Sequence, residues 1–231
     1  NSLVYDKVNE YTALTDEKDN AYRKALAFHD KILDTIDYAY DDYGFAKMDA
    51  WAHNVLGVFE EKGGVCESYA RTFQLLLNYN GIENLMVTGV GNGERHGWNL
   101  VRLDDGNWYW CDLTWDDAPS QSGIMHNYFM VNDLQDLGVS TGYDRVTFIK
   151  YHLIDTPENE REQFLYELPA RSKVIYRDEV FLTVGETFKV DNCTYSVTGY
   201  GTVKLIKNEN KKGYVVPKIV SYNDVEYTVK K

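Results

Sequence analysis

The chain has few cysteines, no surplus of basic residues and no long apolar run. Its three cysteines are an odd number without a Cys-x-x-Cys spacing, which argues against a disulfide framework and against a four-thiolate zinc site. At least one thiol is free or paired outside the chain. No apolar run nears the roughly 18 residues that cross a bilayer, so no membrane span is expected. With 24 basic residues against 36 acidic ones, the net charge is −12. That sign repels phosphate backbones and anionic lipid surfaces, and nucleic acid is an unfit partner. Asn1 to Lys7 show neither an initiating methionine nor a signal-peptide profile and read as the start of a trimmed or mature chain.

What is present is enough apolar material, 44% hydrophobic over 231 residues, for one fair-sized core and a second small one. From Asp19 to Tyr38 apolar residues fall at helical spacing, with Ala21, Ala25, Phe28, Ile32 and Ile36 on one stripe. A second helical stretch, Asp49 to Glu61, runs into the stop signal Lys62-Gly63-Gly64. A third helix opens near Cys66, buries Tyr69, Ala70, Phe73, Leu76 and Leu77, and closes at Asn80-Gly81. The period then drops to 2, and Leu85–Val90, His96–Leu103 and Trp108–Leu113 read as strands. Helices followed by an antiparallel sheet make the class α+β.

The last third changes character. Short alternating runs at Val180–Val184, Tyr195–Val197, Val203–Ile206 and Tyr214–Val216 are separated by Gly, Asn and Asp turns. Up to Pro169 there are 13 basic and 29 acidic residues, against 11 and 7 beyond it. This shift predicts two domains, 1–169 and a small all-β domain 170–231.

Cys66 follows Gly63-Gly64-Val65 and begins a helix, where unpaired amides and the helix dipole favour a thiolate. Its own amide can donate to a developing oxyanion. A free cysteine is more often only a small buried hydrophobe. The downstream segments Glu94–Val101 and Asn107–Thr114 sharpen the choice. They are joined by Asp104-Asp105-Gly106, a three-residue loop of the kind that takes a type I turn and a left-handed glycine. Leu103 then pairs with Asn107, Trp98 lies opposite Asp112, and His96 becomes a diagonal neighbour of Asp112 on the same face. A two- or four-residue loop would put them on opposite faces. A carboxylate on one imidazole nitrogen leaves the other to take the thiol proton. Trp98, Trp108 and Trp110 are expected to shield that pair.

Gly63-Gly64-Val65-Cys66-Glu67-Ser68-Tyr69-Ala70, His96-Gly97-Trp98-Asn99-Leu100-Val101 and Trp108-Tyr109-Trp110-Cys111-Asp112-Leu113-Thr114-Trp115-Asp116-Asp117 together resemble the bacterial transglutaminase-like superfamily. Phe28-His29-Asp30, Tyr38-Ala39-Tyr40-Asp41 and His126–Val131 fit the same pattern, over roughly residues 20 to 135. The resemblance implies a papain-like, transglutaminase-like core, a triad on Cys66, His96 and Asp112, and a peptide or protein substrate. Ser68 stands where the family commonly has glycine, and Gly97 where it commonly has alanine. The oxyanion side chain is marked by no motif; Trp51, His53, Tyr69 and Trp98 are the oxyanion or cleft candidates. The C-terminal strands resemble β modules beside leucine-rich repeats in secreted bacterial surface proteins. That likeness implies an extracellular or cell-surface location and opens a surface or glycan contact to residues 170–231.

Three further signals are set aside. Gly89-Val90-Gly91-Asn92-Gly93 is followed by a strand rather than a helix and reads as a mobile loop, not a dinucleotide site. Asp112, Asp116 and Asp117 lack EF-hand spacing, so calcium is left open without a motif. Cys66, His96 and Asp112 could serve zinc, but the Gly-Gly-Val-Cys helix start favours a thiolate. No cofactor and no metal are expected. The reading is cysteine-dependent acyl transfer on amide bonds; the alternative is a catalytically silent scaffold holding a peptide or glycan.

Overall fold

Asn20 starts the first long helix: its side chain accepts from the Arg23 amide at 2.9 Å, satisfying one of the free donors at a helix start. In the computed structural model this helix is α2, Ala21–Thr35, preceded by α1, Ser2–Thr12. Residues 2–117, 124–132, 136–137, 146–147, 152–154, 168–174, 176, 178, 185–199, 202–210, 215–222 and 225–230 are described. The expected stripe of α2 turns inward, with Ala25, Phe28 and Ile32 fully buried. α1 buries Val8 and Tyr11 and carries no sequence signal noted above.

The stretch Asp49–Glu61 is not one helix. It divides into a 3-10 turn, Ala50–His53, and a π-helical turn, Gly57–Glu61. Asn54 divides them: its side-chain Nδ2 donates to Ala50 O at 2.6 Å and its side-chain oxygen accepts from the Leu56 amide at 2.8 Å. A short polar side chain that bonds local backbone competes with the helix. The chain leaves through Lys62 in the left-handed region (φ 54°), so the stop is at the lysine, and Gly63–Gly64 form strand β2. β2 pairs in parallel with β1, Asp37–Tyr38, in the register Asp37↔Gly63 and Tyr38↔Gly64.

α3 spans Cys66–Tyr79 and buries Tyr69, Ala70, Phe73, Leu76 and Leu77, as its pattern predicts. It ends where Gly81 turns left-handed (φ 71°) and the Ile82 amide reaches back to Leu77 O at 2.9 Å. Four strands then form a sheet in the order β5-β4-β3-β8, from β3 (Asn84–Gly91), β4 (Glu94–Arg102), β5 (Trp108–Cys111) and β8 (His152–Ile154). Between β3 and β4 lies a two-residue turn, Asn92 and Gly93, both at positive φ. The glycine-rich run is thus mostly strand. Below the sheet Asn99 donates from Nδ2 to Ala70 O of α3 at 3.1 Å. A short pair, β6 (Asp136–Leu137) and β7 (Val146–Thr147), stands apart from this sheet.

The chain forms two compact units, Asn1–Tyr176 and Arg177–Lys231. The second is an all-β sheet in the order β12-β13-β11-β10-β9, built from β9 (Thr187–Val190), β10 (Cys193–Gly199), β11 (Thr202–Asn208), β12 (Ile219–Tyr222) and β13 (Val225–Lys230). Phe188, Cys193, Tyr195, Val197, Val203, Val220 and Tyr227 make its core. Val215 and Val216 lie outside any strand, and the expected run Val180–Val184 lies outside the described residues. Among the described residues no helix is long and apolar enough to cross a membrane.

Candidate active site

The β4–β5 hairpin has the register that a three-residue loop dictates. Leu103 N donates to Asn107 O at 3.0 Å, Gly106 is left-handed (φ 80°), and Asn99↔Cys111 and Val101↔Tyr109 are paired. His96 and Asp112 therefore share a face, and His96 Nε2 lies 2.6 Å from Asp112 Oδ2. The other carboxylate oxygen of Asp112 accepts from the amides of Thr114 (3.0 Å) and Trp115 (3.3 Å), capping the turn α4, Leu113–Asp116. One carboxylate thus both holds His96 and caps α4.

With Nε2 taken, Nδ1 of His96 is left for the sulfur, and the Cys66 side chain is near enough to favour charge on this ring. Burial works against a charged imidazole, yet the Asp112 carboxylate and the Cys66 sulfur outweigh it and hold His96 up at about 10. Two indoles flank the ring: Trp98 stacks at 5.8 Å and Trp115 at 5.5 Å between centroids. Trp108 and Trp110 stand behind Trp98 rather than in the stack on His96. Trp110 is buried in the cluster of Val87, Trp98, Leu100 and Val131, with Trp108 packed against it. Trp115 is the second plate.

His96 can lie over β3 because position 91 has no side chain. A Cβ on Gly91 would come within 2.7 Å of His96 Cδ2 and 2.9 Å of Cγ. On the Cys66 side the backbone is similarly fixed. A Cβ on Gly64 would meet Ser68 Cβ at 2.4 Å, and the buried Ser68 hydroxyl lies 2.8 Å from Ala52 O and 2.7 Å from Asn54 O, donating to that pair of carbonyls. The serine thus ties α3 to the turn before it.

The parallel pairing of β1 with β2 brings the Tyr38 hydroxyl beside the Cys66 backbone. Burial, with Cys66 and Tyr40 close by, pushes this hydroxyl up, so it remains a protonated donor at neutral pH. In the sequence Tyr38 stands in the run Tyr38-Ala39-Tyr40-Asp41 with nothing to mark this role. The four oxyanion or cleft candidates have these partners. Trp51 lies under the Lys47 ammonium (5.8 Å). His53 has both ring nitrogens engaged, Nδ1 with Glu67 Oε2 at 2.9 Å and Nε2 with Lys47 O at 3.0 Å, which leaves neither for a substrate carbonyl. Tyr69 is fully buried and donates its hydroxyl to Asp117, and Trp98 contributes its ring face to His96.

The cleft beside these groups holds about 420 Å³ and is lined by Tyr38, Tyr40, Phe45, His96, Trp115 and Asp117 among others. Tyr40 and Phe45 are exposed at its rim. Of the chain's cysteines, Cys66 alone is partly exposed; Cys111 and Cys193 are buried, and burial pushes the Cys111 thiol up.

The family model of the transglutaminase-like superfamily matches residues 9–113. No curated protein matches the chain. Among solved structures it is similar to a TGase at 17% identity, over 55% of this chain and 34% of that one, with a TM-score of 0.43. It is also similar to a candidate cysteine protease of Cytophaga hutchinsonii (21%, 48% and 37%, TM-score 0.38) and a candidate protease of Parabacteroides distasonis (14%, 48% and 26%, TM-score 0.36). The chain spans 26 to 37% of the length of the two proteases. The family match ends within α4, whose cap is Asp112. By family model and architecture, the chain carries a transglutaminase-like α+β core and a separate C-terminal all-β region.

Proposed function

We propose that the chain performs cysteine-dependent acyl transfer on amide bonds of a peptide or protein, through a thioester on Cys66. The observation that carries the reading is the His96 ring set between the Cys66 thiol and Asp112 Oδ2. His96 takes the thiol proton, and the thiolate attacks the carbonyl carbon. The oxyanion that forms is received by the Cys66 amide and the neighbouring Tyr38 hydroxyl. His96 then gives its proton to the departing amine, the C–N bond breaks, and the thioester remains. Water, or a lysine amine of a second protein, attacks the thioester with His96 as base. The products are a free acid or a new amide, with the thiol restored.

Trapping tests this directly. With glutamine-containing and general peptide libraries as acyl donors, intact-mass analysis of quenched turnover is expected to show an acyl adduct on the chain that is absent from Cys66→Ala. Turnover that survives Cys66→Ala would end the proposal. The alternative of a silent scaffold is separated by the rate at which Cys66 is alkylated.

On the likeness of its C-terminal strands to surface β modules, the chain would act outside a bacterial cell, with residues 170–231 holding a surface, a partner or a glycan. Failure of the full chain to bind isolated bacterial envelopes would remove this placement.

A further inference from the structure

A cluster of metal-ligating side chains is formed by residues that do not line the cleft. His29 and Asp30 on α2 meet His126, and the ligand atoms of the three all lie within 4.8 Å of one another. Asp30 Oδ1 is shared by both rings, 2.9 Å from His29 Nδ1 and 2.7 Å from His126 Nε2. The imidazoles face each other with centroids 5.1 Å apart. Behind them the fully buried His29 turns Nε2 to Asp116 Oδ2 at 3.1 Å. Asp116 is also buried, and its other oxygen accepts from the Tyr128 amide at 2.9 Å.

Protons alone satisfy this arrangement only with an extra charge or an extra proton held in the buried cluster. Both His29 nitrogens face carboxylate oxygens, so either the buried ring carries two protons or one carboxylate is protonated. A cation at the shared point satisfies every group with a neutral His29. Its Nε2–H donates to Asp116, while the Nδ1 lone pair, Asp30 and the Nε2 lone pair of His126 bind the ion. A ligating histidine whose second nitrogen donates to a carboxylate is the usual form of a metal-bound imidazole.

Two imidazoles and one carboxylate suit zinc and its neighbours, not calcium or magnesium. Ligands about 2.1 Å from a tetrahedral zinc ion stand roughly 3.4 Å apart, so the two shorter separations must open by about half an ångström. Asp30 and His126 are partly exposed (39% and 43%) and can move, leaving the fourth position to water. We propose that His29 Nδ1, Asp30 and His126 Nε2 bind one zinc-type divalent ion, backed by Asp116. The ion acts as a clasp between α2 and the segment that supports Asp112, whose amide donates to Tyr128 O at 3.0 Å. The site does not depend on the acyl-transfer reading, since Cys66 chemistry uses none of these ligands.

The test uses the full chain carrying Cys66→Ala, so that the sulfur cannot compete for metal, freed of metal by chelation. Titration calorimetry with zinc chloride is expected to give one ion per chain, and thermal unfolding to move upward with excess zinc by mass action. Cobalt(II) should show the visible bands of an ordered nitrogen and oxygen site. Calcium and magnesium should leave the melting temperature unmoved. Adding His126→Ala or Asp30→Ala should abolish the uptake, and Asp116→Asn should weaken it by roughly 10- to 100-fold. The proposal is overturned if no stoichiometric uptake occurs, if uptake survives both ligand variants, or if calcium binds as tightly as zinc.

Discussion

Asp112 holds His96 with one carboxylate oxygen, at 2.6 Å, and caps the first turn of α4 with the other. The two duties separate by substitution. Asp112→Asn keeps a good cap and loses only the charge that holds His96, so its loss of stability should be confined to the pH range in which His96 is an imidazolium, while turnover falls by roughly 10²- to 10⁴-fold. Asp112→Ala should lose a similar factor in rate and about 1 kcal/mol more stability than Asp112→Asn, the share of the cap. Chemical denaturation of both variants, beside their kcat values, checks the separation.

The pH profile follows from His96. Its folded value of about 10 lies above the ordinary histidine value of roughly 6.5. The imidazolium is therefore favoured in the folded chain. Its contribution to stability is full below roughly pH 6.5 and is lost as pH rises through about 10. The alkaline limb of kcat/KM should lie near the same pH, and Asp112→Asn should move it down. A limb near neutral pH in the unaltered protein would contradict the ion-pair account.

Gly91 and Gly97 make a matched pair. At Gly91 an added methyl meets the imidazole ring at 2.7 Å, whereas at Gly97 it meets the flexible end of Met86 at 3.2 Å. Gly91→Ala should therefore displace His96 and lower kcat by at least tenfold, and Gly97→Ala should leave it within a few-fold. Steady-state kinetics on the two variants decide it.

Tyr38→Phe should cost roughly 10²- to 10³-fold in kcat, as expected for loss of one oxyanion donor. The alkylation rate of Cys66 should stay close to that of the unaltered chain, because alkylation builds no oxyanion. Equal losses in both rates would show that Tyr38 acts on the thiol instead.

The hairpin was legible because a three-residue loop fixes a register, and the register alone puts His96 beside Asp112. α3 was legible from its stripe and from glycines on both flanks. Tyr38 and Trp115 were not, for their positions depend on contacts that local pattern does not carry. Tyr38 reaches Cys66 only through a parallel pairing of two-residue strands, and Trp115 reaches His96 only because α4 turns at the Asp112 cap. The stretch Asp49–Glu61 was misread because its apolar spacing is helical while Asn54 spends its side chain on local backbone. His29, Asp30 and His126 carry no spacing motif, since 96 residues separate Asp30 from His126.

The central claim is that His96 activates the Cys66 sulfur, and the alkylation rate of that sulfur measures it most directly. At neutral pH with brief, low-dose iodoacetamide, intact-mass analysis should show one rapid label on Cys66, with the buried Cys111 and Cys193 unreacted. His96→Ala should slow the label to the rate of an ordinary exposed thiol. Labelling that is slow in the unaltered chain, or equally fast in His96→Ala, would contradict the account.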